Sequence, residues 1–348
     1  MRVLMTGHRG YLGAEMVPVL RQLGHDVVGL DTDYYAGRDF LRSPDPIPML
    51  AMDIRDVSAR ELRGFDAVVH LAALSNDPVS ELNPQLTYDI NLHASVSLAE
   101  AAKAAGVSRF VFSSSCSLYG RGGAKALSEL APLNPVTPYG ESKIQVERAL
   151  SALADDTFSP TYLRNATAYG LSRRLREDVV VNNLVGHAMT SGRVLLLSDG
   201  QSWRPLVHVL DIAHAFAQTL SAPRETVHDE AFNVGRSAEN YRIADVAKLV
   251  AELVPDCVVT CGEHAVPDIR NYLVDFTKIE TQLPGYRPTW TVPAGIAQLR
   301  DAFAAGNMTA ELFDGPDYVR LRTLQQLIEK GLLDDELRWN RRDEETPE

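Results

Sequence analysis

Cysteine is scarce in the sequence. The 348 residues include three cysteines, Cys116, Cys257 and Cys261, and none of them belongs to a C-x-x-C pair or to a cysteine–histidine pattern with zinc-site spacing. This scarcity excludes a disulfide framework and gives no indication of a metal site. We therefore expect three reduced, packed thiols and no bound metal.

Basic residues are also in deficit. Lysine and arginine together number 34, against 46 aspartates and glutamates, and the formal net charge is -12. Non-specific binding to nucleic acid or to an anionic membrane needs a positive surface that displaces counterions, so both functions are excluded. An anionic ligand must instead be held by a few local arginines and by backbone amides.

Long apolar segments are lacking too. No apolar run approaches the roughly 18 residues of a membrane-spanning helix. The N-terminal MRVLMTGHRG enters a strand pattern at once, without the charged and apolar regions of a signal peptide. We expect a cytoplasmic protein that does not bind membranes.

The first half of the chain contains a regular alternation of strands and helices. Short runs rich in Val, Leu and Phe predict buried strands at residues 2–7, 26–31, 67–73 and 109–115. Helical periodicity spans residues 11–24 and 94–106, and each span ends at a glycine suited to the position after a helix. The alternation predicts an α/β fold with a doubly wound parallel sheet of the Rossmann type.

This alternation loosens after about residue 170. Residues 192–220 predict two strands around a turn and then a helix, and residues 242–254 and 318–331 predict further helices. We expect three parts: a Rossmann domain of residues 1–170 completed by elements near 205–235, a smaller mixed α/β lobe of residues 171–305, and a helical extension of residues 306–348. The charged end of that extension, RRDEETPE, is expected to be frayed.

Three glycines follow the first predicted strand at the spacing G-x-x-G-x-x-G. Gly7 and Gly10 stand between that strand and the helix that Tyr11 and Leu12 open, Gly13 lies in its first turn, and all five are candidate cofactor-binding residues. In this context glycine lets the backbone turn sharply, approach a pyrophosphate closely and offer it the positive N-terminus of the helix. The motif predicts a dinucleotide site.

Acidic residues indicate which dinucleotide binds. Asp31 ends the second predicted strand, where a carboxylate can accept hydrogen bonds from both hydroxyls of an adenine ribose and repels a 2′-phosphate. This position favours NAD over NADP. Asp53 and Ile54 lie further on in MDIRD and are candidates for the edge of the adenine site, although an exposed turn fits them nearly as well.

A Y-x-x-x-K motif supplies candidate catalytic groups. Tyr139 and Lys143 are four residues apart, so on a helix both side chains project from one face and the ammonium lies near the phenol. A nearby positive charge favours the phenolate, which suits a general acid/base at neutral pH. Ser115 ends a predicted strand upstream and is a candidate to hydrogen-bond the same substrate oxygen.

Together these motifs resemble the extended short-chain dehydrogenase/reductase family, in its nucleotide-sugar epimerase and dehydratase branch. The resemblance covers roughly residues 1–300 and implies NAD as cofactor and a nucleotide-diphosphate sugar as substrate. It implies that Leu71, Ala72 and Ala73 pack against the cofactor and that Asn91 steadies the central sheet. It further implies a homodimer formed through helices near residues 94–106 and 140–154.

The resemblance also implies the substrate contacts. Arg204, in WRPLVHVLDIA, and Arg270, in PDIRNYLVDFTKI, match stretches that meet the sugar-nucleotide phosphates. Asn182 and Asn183 are candidate contacts to the nucleotide portion, although either can equally cap or turn the chain. The family often has an asparagine two residues before a Tyr-Gly pair. In LRNATAYG that place is Thr167 and the asparagine is Asn165, which puts contacts near the nicotinamide and the substrate in doubt.

The residues after Ser115 indicate the reaction type. Dehydratases of the family carry Asp and Glu there, whereas this sequence has Cys116 and Ser117, so 4,6-dehydration is disfavoured. A one-residue shift along a strand turns a side chain to the opposite face, and we expect Cys116 to pack away from the sugar. The remaining reaction is oxidation of the substrate to a keto-sugar followed by return of the hydride. The product is then an epimer, most commonly at C4, and epimerisation at C2, C3 or C5 or net reduction of a keto-sugar would use the same residues.

Two other function classes stay open. A dinucleotide sensor without turnover is disfavoured because Ser115, Tyr139 and Lys143 are all present. A reductase of small neutral ketones is disfavoured because such a substrate gives no reason for Arg204 and Arg270.

Overall fold

The computed structural model describes residues 1–75, 83–266 and 268–340. Its strands are β1 (Arg2–Thr6), β2 (Asp26–Asp31), β3 (Met49–Ala51), β4 (Ala67–His70), β5 (Arg109–Ser115), β6 (Arg121–Leu127), β7 (Ser159–Asn165), β8 (Thr167–Tyr169), β9 (Arg193–Ser198), β10 (Trp203–His208), β11 (Glu230–Val234), β12 (Asn240–Arg242), β13 (Val258–Val266) and β14 (Asn271–Val274). Its helices span Tyr11–Gln22, Pro84–Thr87, Ala94–Ala104, Pro138–Leu153, Val180–Ser191, Val209–Ser221, Arg224–Val227, Ile243–Leu253, Thr277–Gln282, Val292–Ala305, Ala310–Phe313 and Arg320–Glu329.

Seven parallel strands form the central sheet, in the order β3-β2-β1-β4-β5-β7-β11. The chain runs outward from β1 to β3 and then returns to place β4 on the other side of β1. In such sheets the crevice at the carboxyl ends of the strands where the order reverses is the binding site. The doubly wound α/β fold is confirmed.

Both faces of this sheet are covered, which explains why its strands are continuous apolar runs. Val3 and Met5 of β1 pack with the helices Tyr11–Gln22 and Val209–Ser221. Leu4 of the same strand belongs to the opposite core, with the helices Ala94–Ala104 and Pro138–Leu153. Gly24 and Gly106, the glycines expected after two helices, have φ of 81° and 84°, the left-handed conformation of that position.

Three short sheets and a separate core lie beside the central sheet, and two of these sheets contain β6 and β8, from the first 170 residues. Helices Val180–Ser191, Ile243–Leu253 and Val292–Ala305 supply most of that core. The two strands expected within residues 192–220 are β9 and β10, but they do not pair with each other. β9 lies parallel to β13, whereas β10 lies between β8 and β12.

The C-terminal extension returns to the first sheet. Leu324, Leu327, Leu333 and Leu337 join the core that contains Leu30 and Ile54. The indole N–H of Trp339 donates to the carbonyl of Thr32, just after β2, at 2.7 Å. The frayed tail expected at residues 341–348 lies outside the described residues.

Within the described ranges, none of the helices has the length and apolar character needed to cross a membrane.

Candidate active site

The glycine-rich loop lies at the switch between β1 and β4. Gly7 has φ of 70°, and a Cβ there would lie 2.8 Å from the backbone nitrogen of Ala72. A Cβ on Gly13 would lie 2.4 Å from the carbonyl oxygen of Gly7, so only glycine lets the first turn of the helix approach the loop. Gly10 is the N-cap of that helix. The loop therefore offers backbone amides and a helix N-terminus to an anion, as a bound dinucleotide requires.

Tyr11 and Leu12 open the helix. The Tyr11 hydroxyl is buried and donates to the carbonyl of Gly170 at 2.7 Å, which ties the loop to the smaller lobe. The amide nitrogen of Tyr11, one of the first in the helix, is the group that can face a pyrophosphate. Leu12 is half-buried against the core. The predicted cofactor role of Tyr11 thus fits its backbone rather than its phenol.

Asp31 stands at the carboxyl end of β2, beside the glycine-rich loop. Its two carboxylate oxygens accept hydrogen bonds from the backbone nitrogens of Arg9, at 2.9 Å, and of Asp33, at 2.8 Å. These amides orient the carboxylate, which has capacity for further hydrogen bonds from ribose hydroxyls. The position agrees with the predicted NAD site.

Asp53 and Ile54 lie in the loop that follows β3. The Asp53 carboxylate forms a two-point pair with Arg55, at 3.0 Å to Nε and 2.6 Å to Nη2, and it accepts from the Arg55 backbone. Burial opposes ionisation, but these bonds and the charge of Arg55 hold the pKa of Asp53 below its usual value. Ile54 is only 5% exposed and belongs to the core. Both residues therefore have a structural role in this loop, and their place at the edge of the adenine site stays a prediction.

The loop that follows β4 contains Leu71, Ala72 and Ala73 and lies against Gly7. Asn91 holds its far end, because the side-chain oxygen accepts from the nitrogen of Leu74 at 2.8 Å and the amide donates to its carbonyl at 2.9 Å. Asn91 is almost wholly buried. It can therefore affect a bound cofactor only through the loop.

The end of β5 and the helix Pro138–Leu153 bring the catalytic candidates together. Pro138 opens the helix and the hydroxyl of Thr137 caps it. Lys143 is buried, and its Nζ donates to the carbonyl of Ser113 at 2.8 Å. The same Nζ lies 5.5 Å from the centre of the Tyr139 ring. Ser115, two residues beyond Ser113, is the half-buried last residue of the strand.

Burial is the main influence on the protonation of Lys143. Burial lowers the pKa of Lys143 to about 7, while the nearby carboxylate of Glu147 acts in the opposite direction. His70, on the adjacent strand β4, is held between the hydroxyls of Thr6 and Ser95 at 2.7 and 2.8 Å. Burial, assisted by the charge of Lys143, lowers the pKa of His70 to about 3, so it is neutral. Lys143 is thus the cation nearest to Tyr139 that titrates close to neutral pH.

Asn165 lies beside this centre. It ends β7 and is the register partner of Ser115. Its amide donates to the hydroxyl of Ser113 at 3.0 Å, whereas its oxygen has no hydrogen-bond partner among the described residues. That oxygen is buried, and the candidate substrate contact of Asn165 stays a prediction.

Asn182 and Asn183 have different surroundings. Asn182 is wholly buried, accepts from the nitrogen of Gly170 at 2.9 Å and donates to the carbonyls of Gly170 and Arg176. Its amide is fully used by the backbone, so Asn182 has a structural role, and the candidate substrate contact stays a prediction. Asn183 is half-buried and donates to the carboxylate of Glu177.

Arg204 and Arg270 converge on one carboxylate. Nη2 of Arg204 lies 2.6 Å from Oδ2 of Asp268, and Nη2 of Arg270 lies 3.0 Å from the same atom. Arg204 is buried, whereas the Arg270 side chain is 41% exposed. Burial opposes ionisation of Asp268, but the two guanidinium groups hold its pKa below the usual value. The two predicted phosphate ligands therefore form one cationic site, with Asp268 at its centre.

The cysteines follow the expectation in part. Cys116 is buried in the core beneath the sheet, and its thiol donates to the carbonyl of Arg164 at 3.1 Å. Burial raises the pKa of this thiol well above its usual value. The expectation that Cys116 is packed is confirmed, and its orientation away from the sugar stays a prediction. The expectation of a packed thiol is wrong for Cys261, which is exposed on β13, the edge of a two-stranded sheet.

Comparison with known proteins decides the family. Residues 3–235 match the model of the NAD dependent epimerase/dehydratase family. The chain belongs to this family. The expected family and its NAD cofactor are thereby confirmed, and the glycine cradle and Asp31 provide the groups that NAD needs.

Members and neighbours of the family cover nearly the whole chain. UDP-glucose 4-epimerase of Lactobacillus helveticus is 32% identical over 311 residues, which are 83% of this chain and 92% of the relative. MoeE5, solved in complex with UDP-glucuronic acid and NAD, superposes with a TM-score of 0.76 at 28% identity, over 88% of this chain and 99% of that one. DesIV, a dTDP-glucose 4,6-dehydratase from Streptomyces venezuelae, gives 0.77 at 26% identity, over 90% and 100%.

Sequence analysis missed several residues that shape this family member's site. Asp268 stands two residues before Arg270, and Glu147 stands one helical turn after Lys143. Both spacings can be read in the sequence, but the partners of the two carboxylates, Arg204 and Arg164, come from distant parts of the chain. Trp339, which contacts the loop after Asp31, had no signal in the sequence.

Proposed function

We propose that the protein is an NAD-dependent epimerase that inverts C4 of a UDP-sugar. The observation that carries the proposal is the contact between the helix Pro138–Leu153 and the end of β5. The Lys143 ammonium donates to the carbonyl of Ser113 and lies 5.5 Å from the centre of the Tyr139 ring, Ser115 ends the strand, and no carboxylate stands at the two positions that follow it. The curated relatives of similar length, which are UDP-glucose 4-epimerases, support the same reaction.

The chain's own residues handle the proton. Tyr139, as phenolate, takes the proton of the sugar hydroxyl and later returns it, while Ser115 donates a hydrogen bond to the same oxygen. Lys143, held by the carbonyl of Ser113, stabilises the phenolate by its charge. Bound NAD supplies the acceptor and donor of the hydride. Inversion follows when the intermediate keto-sugar presents its other face before the hydride returns.

The Arg204–Arg270 site supports a diphosphate as the handle of the substrate. Two guanidinium groups that share Asp268 are spaced to share a phosphate group in the same way, because carboxylate and phosphate oxygens match the same fork of N–H donors. UDP is favoured over other nucleoside diphosphates by the curated relatives.

The environment of Cys116 supports epimerisation without proton exchange at carbon. Its thiol is in the core and bonded to the backbone, and Ser117 is the neighbouring side chain. Neither supplies the acid and base that elimination of water needs. Loss of 4,6-dehydratase activity relative to neighbours such as DesIV is therefore part of the proposal.

A panel of nucleotide sugars in heavy water tests the proposal. Purified protein should interconvert UDP-glucose and UDP-galactose, or another C4 pair, without uptake of deuterium at carbon. A 4-keto-6-deoxy product, deuterium beside the ring carbonyl, or inversion at another carbon would contradict it. Cys116→Ala should retain turnover, which separates this route from one that uses the thiol.

A homodimer and a cytoplasmic location belong to the same proposal. The helices Ala94–Ala104 and Pro138–Leu153 are the proposed contact between subunits, and nucleotide-sugar chemistry with NAD supports the cytoplasm. The domain limits at residues 170 and 305 are retained as proposed limits. Sedimentation equilibrium tests the dimer, and a monomer at micromolar concentration would contradict it.

A further inference from the structure

Behind the catalytic centre lies a buried ion pair that the reaction chemistry does not use. Glu147 is on the helix of Tyr139 and Lys143, one turn beyond the lysine, and is 6% exposed. Arg164 of β7 donates to it at two points, from Nε at 3.0 Å and from Nη2 at 2.6 Å. Glu147 and Arg164 are both buried, and the cost of removing two charges from water can cancel their attraction. The ion pair is therefore weak evidence for a contribution to stability.

The pair is joined directly to the catalytic strand. The hydroxyl of Ser114 donates to Oε1 of Glu147 at 2.6 Å, and Ser114 is the register partner of Arg164. Its neighbours are Ser113, whose carbonyl accepts from Lys143, and Ser115. Helix, β5 and β7 thus meet at Glu147, on the face of the sheet opposite the Ser115 side chain.

Arg164 is anchored at its other end. Its Nη1 donates to the hydroxyl of Tyr119 at 3.1 Å and to the carbonyl of Glu129 at 3.0 Å. The Tyr119 hydroxyl in turn donates to Asn233 of β11 at 2.7 Å. A guanidinium fixed at both ends holds the Glu147 carboxylate in one place, which is what an electrostatic role requires.

The groups that face Lys143 are few. Its own helix presents Tyr139 and Glu147, β4 presents the neutral His70, and β5 presents the ring of Phe112 at 4.5 Å. Glu147 is the one negative group among these neighbours in the part of the chain that the structure describes. In so dry a site its charge acts on the ammonium with little screening.

We propose that Glu147, held by Arg164, is a positioning residue of the catalytic centre: it fixes the end of β5 through Ser114 and keeps the Lys143 ammonium in its charged form during turnover. The proposal rests on the proposed function, because it assumes that Tyr139 and Lys143 are the proton-handling pair. It assigns Glu147 no contact with the substrate or with NAD.

The test is the pH profile of kcat in four proteins. Glu147→Gln removes the negative charge and leaves Arg164 unbalanced, so the alkaline limb should move to lower pH by about one unit, a tenfold change in the protonation constant of Lys143. Arg164→Met leaves Glu147 unbalanced, so the same limb should move to higher pH. The double variant should lie between them, close to the wild type.

Two controls isolate the charge. Asp156→Asn removes an exposed carboxylate just beyond the end of the same helix, and water should screen any effect on the limb. Ser114→Ala removes the hydrogen bond to Glu147 without changing charge, so it should lower kcat and leave the limb in place. The proposal would be overturned if all the variants of Glu147 and Arg164 lost kcat equally at every pH while the alkaline limb of the profile stayed in place.

A second readout does not need turnover. The ultraviolet absorbance of tyrosinate, taken as the difference from Tyr139→Phe, follows the ionisation of Tyr139 in the resting protein. Its midpoint should rise in Glu147→Gln, because a less charged Lys143 stabilises the phenolate less. If the midpoint rises as expected but the wild-type protein epimerises no sugar, the proposed function alone is refuted. If the wild-type protein is active but the midpoint does not move, this inference alone is refuted.

Discussion

Asp268 accepts hydrogen bonds from both Arg204 and Arg270 through one oxygen, at 2.6 and 3.0 Å. A carboxylate thus lies where the proposed diphosphate would be held. A bound diphosphate must share the two arginines with the Asp268 carboxylate or replace it. In the acidic protein, this carboxylate holds the two guanidinium groups close together.

The first prediction follows from this arrangement. Arg204→Ala and Arg270→Ala should each raise KM for a UDP-sugar by roughly tenfold to a hundredfold, because a charge-assisted hydrogen bond contributes about 1.5–3 kcal/mol. The value of kcat should change much less, since the reacting carbon is elsewhere. Arg242→Ala is the matched control, because that arginine stacks on Trp203 at 5.2 Å from the neighbouring strand. Equal KM values in all three would contradict the phosphate site.

The second prediction concerns the cost of burying Lys143. Its pKa falls from 10.5 to about 7 on folding, so between these pH values the unfolded chain binds the additional proton. The free energy of unfolding therefore rises with pH across this window, and the penalty is fully present below pH 7. The shift corresponds to roughly 5 kcal/mol, and the lost hydrogen bond to Ser113 offsets about 1.5–3 kcal/mol of it. Lys143→Met should therefore abolish turnover yet stabilise the fold by roughly 2 kcal/mol at pH 6, and this gain should be lost at pH 10.

Urea denaturation at the two pH values checks this prediction, with Lys125→Met, from an exposed strand position, as the control. A loss of stability at pH 6 would show that the hydrogen bond to Ser113 outweighs the burial of the charge.

The third prediction separates two neighbouring asparagines. Asn182→Ala should lower the free energy of unfolding by about 2 kcal/mol, because the backbone groups of Gly170 and Arg176 lose buried partners. Asn183→Ala should cost far less stability. Thermal unfolding of both variants, followed by KM of the folded fraction, makes the comparison. A raised KM in Asn182→Ala at unchanged stability would support the substrate contact that the sequence predicted.

Part of the fold and of the candidate site could be predicted from the sequence, and part could not. The end of β5 was predicted at residue 115 because its apolar run stops at the serines, and the glycines after two helices were legible because left-handed backbone favours that residue. Both signals are local. The hydrogen bonds of Asn182 with Gly170 and of Asp53 with Arg55 could not be predicted, because pairing depends on the folded arrangement and not on composition or spacing; the site roles of both residues stay predictions.

The fourth prediction concerns the C-terminal extension. Trp339 bonds to Thr32 and packs on Tyr34 at 5.8 Å, which fixes the loop that follows Asp31. A chain that ends at Leu332 should therefore keep less NAD through purification and unfold at a lower temperature. The ratio of absorbance at 260 and 280 nm reports the retained cofactor. A chain that ends at Asn340 is the control and should match the full-length protein.

The last strand of the central sheet has a consequence for biosynthesis. β7 pairs with β5, which precedes it in the chain, and with β11, which follows it. Residues 166–229 are synthesised after β7 and before β11. During that interval the nascent chain presents an open edge whose unpaired amides and carbonyls can capture another strand. Ribosome-bound chains that stop before Glu230 should therefore engage chaperones or aggregate, whereas those that extend past Val234 close the edge.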